Sequence, residues 1–540
     1  MSSLVKTVSR FQSIPKRWGE NKPILITLAV GLFGVYLIYV ATRTPGAIGG
    51  IEPAFMVLGL VLVVLAVRDW KLGIKTLLVV VIIEGAVRKW FMASATELVY
   101  FYKDILMLAT LAGYLRRRSK TPFLIKRHLK LVSLILAVFT LYAFASMGLP
   151  GGPHPVIGLL GLKAYCLYIP LAFLTPRAFS SKEELLRFLK WYLLIVFPVA
   201  VIGVMQFLDT NSQSVLNRYA LSEETSGRAT NIATFGTASE VYFVRITSTF
   251  SYVTGLSVYL PVMFAMLLAL ISLNTRQHLK RGVKALYYTA AGATVVLSVM
   301  TGSRGAVLAI ALVAIIFYFF TSRRNTFRRL QQMAVVGVIL YIALMTLFPQ
   351  AYDAFYNRTF GTEDRMNEGW ERIASALNLP VDEASYAGLL GYGIGLTQNS
   401  VPALMKRLDM TDQGNPIPIP WESEPGRVML ELGLAGFVLY TLLRLALLFT
   451  VFRLCLAIRD PESKLIAFAA AASLALPLII GGAVVIHTQN VYQWFLVGVV
   501  LALLNAERLQ RLAARPPAPF GVRAVPLSQS NMRANLDQEQ

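Results

Sequence analysis

Apolar stretches long enough to cross a bilayer recur along almost the whole chain, each closed by a short charged or Pro/Gly-rich break. A spanning helix needs roughly 20 mostly apolar residues, because the hydrocarbon core is about 30 Å thick and a helix rises about 1.5 Å per residue. Runs of this kind lie near 24–42, 51–67, 74–93, 97–115, 131–149, 156–175, 189–208, 251–273, 284–301, 304–321, 332–348, 426–452, 464–486 and 490–506. They predict an all-α polytopic membrane protein with about fourteen transmembrane helices. The first run follows a basic stretch, exceeds a signal-peptide core in length and has no small-residue cleavage site close behind it, so it reads as a span.

The polar breaks carry the sidedness. With a cytoplasmic N-terminus, alternate loops should collect Lys and Arg. The N-terminal stretch and the breaks at 68–75, 116–130, 177–190, 276–284, 323–329, 453–464 and 508–533 hold 35 of the 51 basic residues. This pattern predicts a bacterial inner-membrane protein with both termini cytoplasmic. Its expected divisions are a cytoplasmic tail 1–23, an N-terminal transmembrane bundle 24–208, a periplasmic loop 209–250, a central bundle 251–348, a large periplasmic lid loop 349–425, C-terminal transmembrane helices 426–506, and a cytoplasmic tail 507–540. The Pro-rich, polar end of that tail predicts disorder. Segments as long as the two outer loops are usually functional or disordered. The second has eleven Asp/Glu against five Lys/Arg and includes Trp370 and Trp421. Helical spacing in ERIASALNL from Glu371 and the turn-rich GLLGYGIG at 388–395 predict a small folded outer layer there.

Composition agrees with lipid as the solvent: 56% of residues are hydrophobic and 15% charged, with a mean hydropathy of +0.59. The net charge of +22 could suggest nucleic acid. However, the basic residues form short separate clusters on one membrane side without an aromatic platform, so no nucleic-acid partner is expected. Cys166 and Cys455 lie in apolar runs at opposite ends of the chain, which gives neither a disulfide framework nor a metal-binding pair. His128, His154, His278 and His487 show no metal-ligand spacing, and there is no Walker A or DxD pattern. No metal or other cofactor is expected, and a sugar donor would have to arrive already activated.

Ionisable residues within spans are costly in lipid and point first to function. Glu84, Arg88 and Lys89 close the third expected span, Arg245 opens the eighth and Arg304 lies between the ninth and tenth, all at the outer face. Cations there run against the positive-inside trend. A guanidinium bonds phosphate oxygens bidentately and stays charged, so the direct inference is an anionic phosphate ligand at the outer leaflet. Separate snorkelling of each arginine is the plain alternative. Lys163 and Tyr165 sit within the sixth span. Lys103 and Asp104, adjacent in the fourth, project in different directions and should each pair with another helix rather than with one another.

Several of these segments, in their order along most of the chain, resemble the O-antigen ligase and polymerase family of bacterial envelope glycosyltransferases. They are Arg-x-x-x-x-Phe-Ser at 245–251, Gly-Ser-Arg-Gly at 302–305, GLLGYGIG at 388–395 and ELGLAGFVLY from Glu431; EGAVRKWF at 84–91 resembles polymerase-like members. The resemblance implies a GT-C-like, metal-independent membrane glycosyltransferase. Its partners would be an undecaprenyl-diphosphate-linked glycan, membrane lipid and other membrane proteins of polysaccharide assembly. Arg304 and Arg245, then Arg88, are the expected diphosphate ligands, and Lys163, Tyr165, Arg358, Trp370 and Trp421 are candidate substrate contacts. Family ligases carry a His-Asn pair nine residues before Gly-x-x-Gly. Here Gly433 and Gly436 are present, but the paired positions hold Glu422 and Ser423. Glu422 is therefore the candidate base and Glu424 its rival. Arg358 and Gly369, with ten residues between them, resemble a polymerase pattern. The expected function is polymerisation of lipid-linked repeat units for O-antigen or exopolysaccharide. Ligase-like transfer to a lipid A core or a protein stays open, as does a secondary transporter or flippase, although no internal repeat is visible.

Overall fold

Helices dominate because an apolar chain in lipid must satisfy its backbone internally. The structure, a computed structural model, describes residues 52–513 apart from 93–95, 118–121, 149–153, 213, 221–232, 240, 278–280, 322–325, 362–370, most of 372–383, 399, 402–403, 406–422 and 481. In chain order the helices are α1 (Glu52–Arg68), α2 (Trp70–Ala86), α3 (Thr96–Arg116), α4 (Lys130–Ala145), α5 (Pro155–Cys166), α6 (Pro170–Ala178), α7 (Lys182–Tyr192) and α8 (Val196–Leu208). There follow a two-stranded antiparallel hairpin, β1 (Thr234–Gly236) with β2 (Tyr242–Val244), and then α9 (Val253–Gln277), α10 (Arg281–Met300), α11 (Arg304–Thr321), α12 (Thr326–Leu347), α13 (Pro349–Phe360), α14 (Glu424–Ala457), α15 (Pro461–Ile480) and α16 (His487–Ala513). Among the described residues seven helical stretches are long and apolar enough to cross a membrane, and the bent pair α5 and α6 makes an eighth. The chain is an all-α membrane protein. The first expected span, 24–42, and the tail beyond 513 lie outside the described residues.

Several boundaries differ from the hydrophobic pattern for identifiable reasons. The run at 156–175 is one expected span but two helices bent by 45°, with Pro170 opening the second, since proline cannot donate the amide that would continue the first. α7 begins at Lys182, ahead of the apolar run, because Ser181 caps Glu184 N and Glu183 and Glu184 sit favourably in the first turn. α14 runs through Gly433, whose backbone (φ 63°, ψ −173°) is not helical.

α16 is buried along the whole stretch from Gln489 to Ala506. It packs against α6, α15, α9 and α14. At its closest approach to α6 a Cβ on Gly498 would lie 2.6 Å from Thr175 Cβ and 3.0 Å from Leu171 O, so a small residue sets this contact. The outer helices face the other way: Leu60 on α1 is 65% exposed and Leu141 on α4 70%, apolar surface that lipid covers and water would not.

One end of the bundle is built from turns instead of helix. There Gln206 Oε1 accepts the amides of Thr247 (3.1 Å) and Ser248 (2.6 Å), which holds Ser248 at φ 48°. The C-terminal end of α2 presses on this turn, where a Cβ on Gly85 would fall 2.1 Å from Ser251 N. α13 docks on the hairpin through Asn357 Nδ2, which donates to Gly236 O at 3.0 Å.

Candidate functional site

Beneath those turns α2, α3, α5, α14 and α16 bring a buried set of ionisable side chains together. As their adjacency implied, Lys103 and Asp104 pair away from one another. Lys103 meets Glu84 of α2 at 2.8 Å, and Asp104 meets Lys163 of α5 at 2.7 Å and accepts the Tyr168 hydroxyl. Arg88 lies 3.9 Å from Glu84 and donates to Ser251 Oγ (3.0 Å) and Ala220 O (2.8 Å). Its neighbour Lys89 donates to Thr247 Oγ1 and Ser248 O. EGAVRKWF and the 245–251 turn are thus one assembly.

The ring of Tyr100 is the hub. Lys163 Nζ stands 4.1 Å, Lys103 Nζ 4.4 Å and the Arg88 guanidinium carbon 5.2 Å from its centre, each suited to a cation–π contact. Its hydroxyl lies 2.7 Å from His487 Nε2. Arg427, 1% exposed, joins the set from α14 with Glu431, Tyr165, Glu424 and Tyr100 as its electrostatic neighbours. Among the described residues six cations, Arg88, Lys89, Lys103, Lys163, Arg427 and Arg444, share this interior with four carboxylates, Glu84, Asp104, Glu424 and Glu431.

Glu431 owes its position to the glycine-rich stretch. Gly433 and Gly391 have φ of 63° and 77°, and a Cβ on either would come within 2.4 Å of the other's amide nitrogen, so only glycine permits this approach. The 388–395 turns lie along the break in α14 and supply the hydrogen bonds the helix lacks: Tyr392 N to Leu430 O, Gly393 N to Glu431 O, Leu434 N to Gly388 O and Ala435 N to Leu389 O. Two residues on, Thr397 donates its amide (2.9 Å) and hydroxyl (2.6 Å) to Glu431 Oε1. Irregular backbone at membrane depth is tolerated where protein satisfies it in this way.

Glu424, the alternative base of the sequence reading, has both carboxylate oxygens engaged. Oε1 accepts from Tyr440 (3.1 Å) and Arg444 (3.1 Å), and Oε2 from the amides of Gly482 and Val484 (2.7 Å each). Its geometry is that of an anchor that fastens the 482–486 turn, and with it His487, to the start of α14. Glu422, Trp370 and Trp421 lie outside the described residues. Tyr165 is buried between Phe139 and Tyr440, with ring centres 6.0 and 5.7 Å away.

Arg245, Arg304 and Arg358 each adjoin a segment that contacts the hairpin. Arg245 Nε donates to Thr301 O at 2.9 Å, Arg304 opens α11 just after Gly302, which packs on Phe235 of β1, and Arg358 follows the Asn357 that holds β1. Arg88 and Lys163 therefore belong to the Tyr100 set, and the other three arginines to a hairpin set, joined through residues 245–251. Sequence reasoning missed Tyr100, Arg427, Glu431 and His487. The available signals were Arg427 and Glu431 at i,i+4 in an apolar helix, and a histidine opening the final span; the search for metal spacing discarded the latter.

The chain matches no protein-family model and no curated protein.

Proposed function

We propose that the chain is a membrane-embedded glycosyltransferase that polymerises undecaprenyl-diphosphate-linked repeat units at the outer face of the inner membrane. In this reading it has about fourteen spans and both termini are cytoplasmic. The observation that carries the reading is the buried, cation-rich set around Tyr100, at the turn-built end of the bundle and within one loop of the hairpin arginines. A surplus of cations inside a low-dielectric interior suits a ligand that brings its own negative charge, and the diphosphate of a lipid-linked sugar does so while its tail stays in the bilayer. The acceptor hydroxyl attacks the anomeric carbon, the bond from that carbon to the diphosphate oxygen breaks, and the charge left on the lipid diphosphate is met by preorganised ammonium and guanidinium groups.

Deletion of the gene in its native host tests this. Accumulation of single lipid-linked repeats is the expected result. Long polymer retained on the carrier lipid would favour ligase-like transfer instead, and unchanged glycolipids would remove both readings.

A further inference from the structure

The proton of the acceptor hydroxyl has no receiver in the scheme above, and one histidine is placed for it. His487 opens α16, and its Nε2 lies 2.7 Å from the Tyr100 hydroxyl with the two rings edge to face. Its Nδ1 is buried and has no hydrogen-bond partner among the described residues. The charged groups acting on the ring are Lys163 of α5, Lys103 of α3, Arg427 of α14 and Arg88, two residues beyond α2. These are the cations that would hold a diphosphate. The anomeric carbon is bonded directly to a diphosphate oxygen, so the group that deprotonates the attacking hydroxyl must stand at the border of this same set. The turn that carries His487 is fastened in place by Glu424.

We propose that His487 is the general base of glycosyl transfer. This rests on the glycosyltransferase reading. Nε2–H is donated to the Tyr100 oxygen, which leaves the lone pair of Nδ1 for the acceptor. As the acceptor oxygen bonds to the anomeric carbon, Nδ1 takes its proton, and the electron pair of the breaking carbon–oxygen bond leaves on the lipid diphosphate. The imidazolium then returns its proton to water. A neutral imidazole ringed by cations can accept a proton once the bound diphosphate offsets their charge.

The test uses the full chain in lipid nanodiscs and, as substrate, the lipid-linked repeat units extracted from the deletion strain. His487→Gln and His487→Asn are each expected to lower turnover about 100-fold, with binding of the lipid-linked repeat within twofold of the parent. The acidic limb of the parent's pH–rate profile should be absent from both. Tyr100→Phe keeps the ring beneath the cations and removes only the hydroxyl. It should lower turnover at least about tenfold, and it decides the matter should the His487 variants fail to fold. Near-parental turnover in His487→Asn, or in Tyr100→Phe, overturns the proposal, because a hydrogen-bond donor or a filler then suffices. So does weaker substrate binding with unchanged turnover, which marks an anion ligand, and so does an acidic limb that persists in His487→Gln and disappears in Glu422→Gln, which moves the base to the loop carboxylate. If the parent itself makes no polymer from the extracted repeats, the glycosyltransferase reading falls, and His487 as its base falls with it.

Discussion

A buried ion pair is far more costly to break than to replace, because removing one partner strands the other's charge. Glu84 is 8% exposed and Lys103 3%, so Lys103→Met should destabilise the protein by about 3–5 kcal/mol. Glu84→Gln together with Lys103→Met should cost less than Lys103→Met alone. Thermal melts of the two variants and the parent in one detergent give the comparison; a double variant less stable than the single would mean that Lys103 acts through packing instead of charge. At the hairpin set the question is geometric. Arg304→Lys keeps the charge but loses the planar fork that grips two oxygens, so we expect polymer formation to fall at least about tenfold, as the loss of one charge-assisted hydrogen bond implies, with membrane insertion intact. A Lys variant that makes normal polymer would leave Arg304 with a surface role only. Single residues such as these were legible in the sequence by type and depth. Their partners were not, since the pairing of Asp104 with Lys163 joins positions 59 apart, through helix packing that hydrophobic periodicity does not encode.

Among elements, the contact between the 388–395 turns and α14 has no room for a single methyl group. Gly433→Ala must bear both a backbone at φ 63°, ψ −173°, essentially confined to glycine and costing about 1–3 kcal/mol for an L-residue, and a Cβ inside contact distance of Gly391 N and Leu389 O. The expected result is a chain that inserts but melts early and does not make polymer. Gly391→Ala should resemble it, and the two together should cost less than their sum because they remove one shared contact. At the opposite end, Lys182 Nζ meets Asp460 at 2.8 Å and Glu462 at 2.6 Å, tying α7 to the start of α15. Partial burial by itself raises the Asp460 carboxyl, but hydrogen bonds from Lys182 and Ser463, with the Lys182 charge, outweigh it and hold the group below the usual carboxylate range. A carboxyl lowered in the folded state contributes stability above its unfolded pKa, and that stability is lost as pH falls through the folded value. Asp460→Asn should therefore lower the melting temperature at pH 7, by an amount equivalent to about 1 kcal/mol or less for a partly exposed pair. The difference from the parent should vanish in strongly acidic buffer; a difference that persists there would point to hydrogen bonding in place of charge.

At the scale of the whole molecule, the hydrophobic pattern made most helices visible, because length and apolarity are what lipid selects. It could not show the bend at Pro170 or the break at Gly433, which appear only when neighbouring segments supply the missing hydrogen bonds. It could not show either that α16, with Gln489, Asn490 and Gln493 in its first turns, lies at the centre of the bundle. The break has a consequence for how the protein is made. Residues 434–457 are mostly apolar, with Arg444 as the buried exception that waits for Glu424 and Pro477 O, and the insertion machinery can release most of them into lipid as soon as they are synthesised. Residues 424–433 are not: they carry Arg427 and Glu431, and they need the earlier turns at 388–397 and the later ones at 482–484 to satisfy their polar groups. The first segment is made before α14 and the second only after α15, so the upper part of α14 settles into the membrane by a post-insertion step. A chain that stops before Gly482 leaves Glu424 without two of its donors, and the interior around Tyr100 is complete only when α16 arrives.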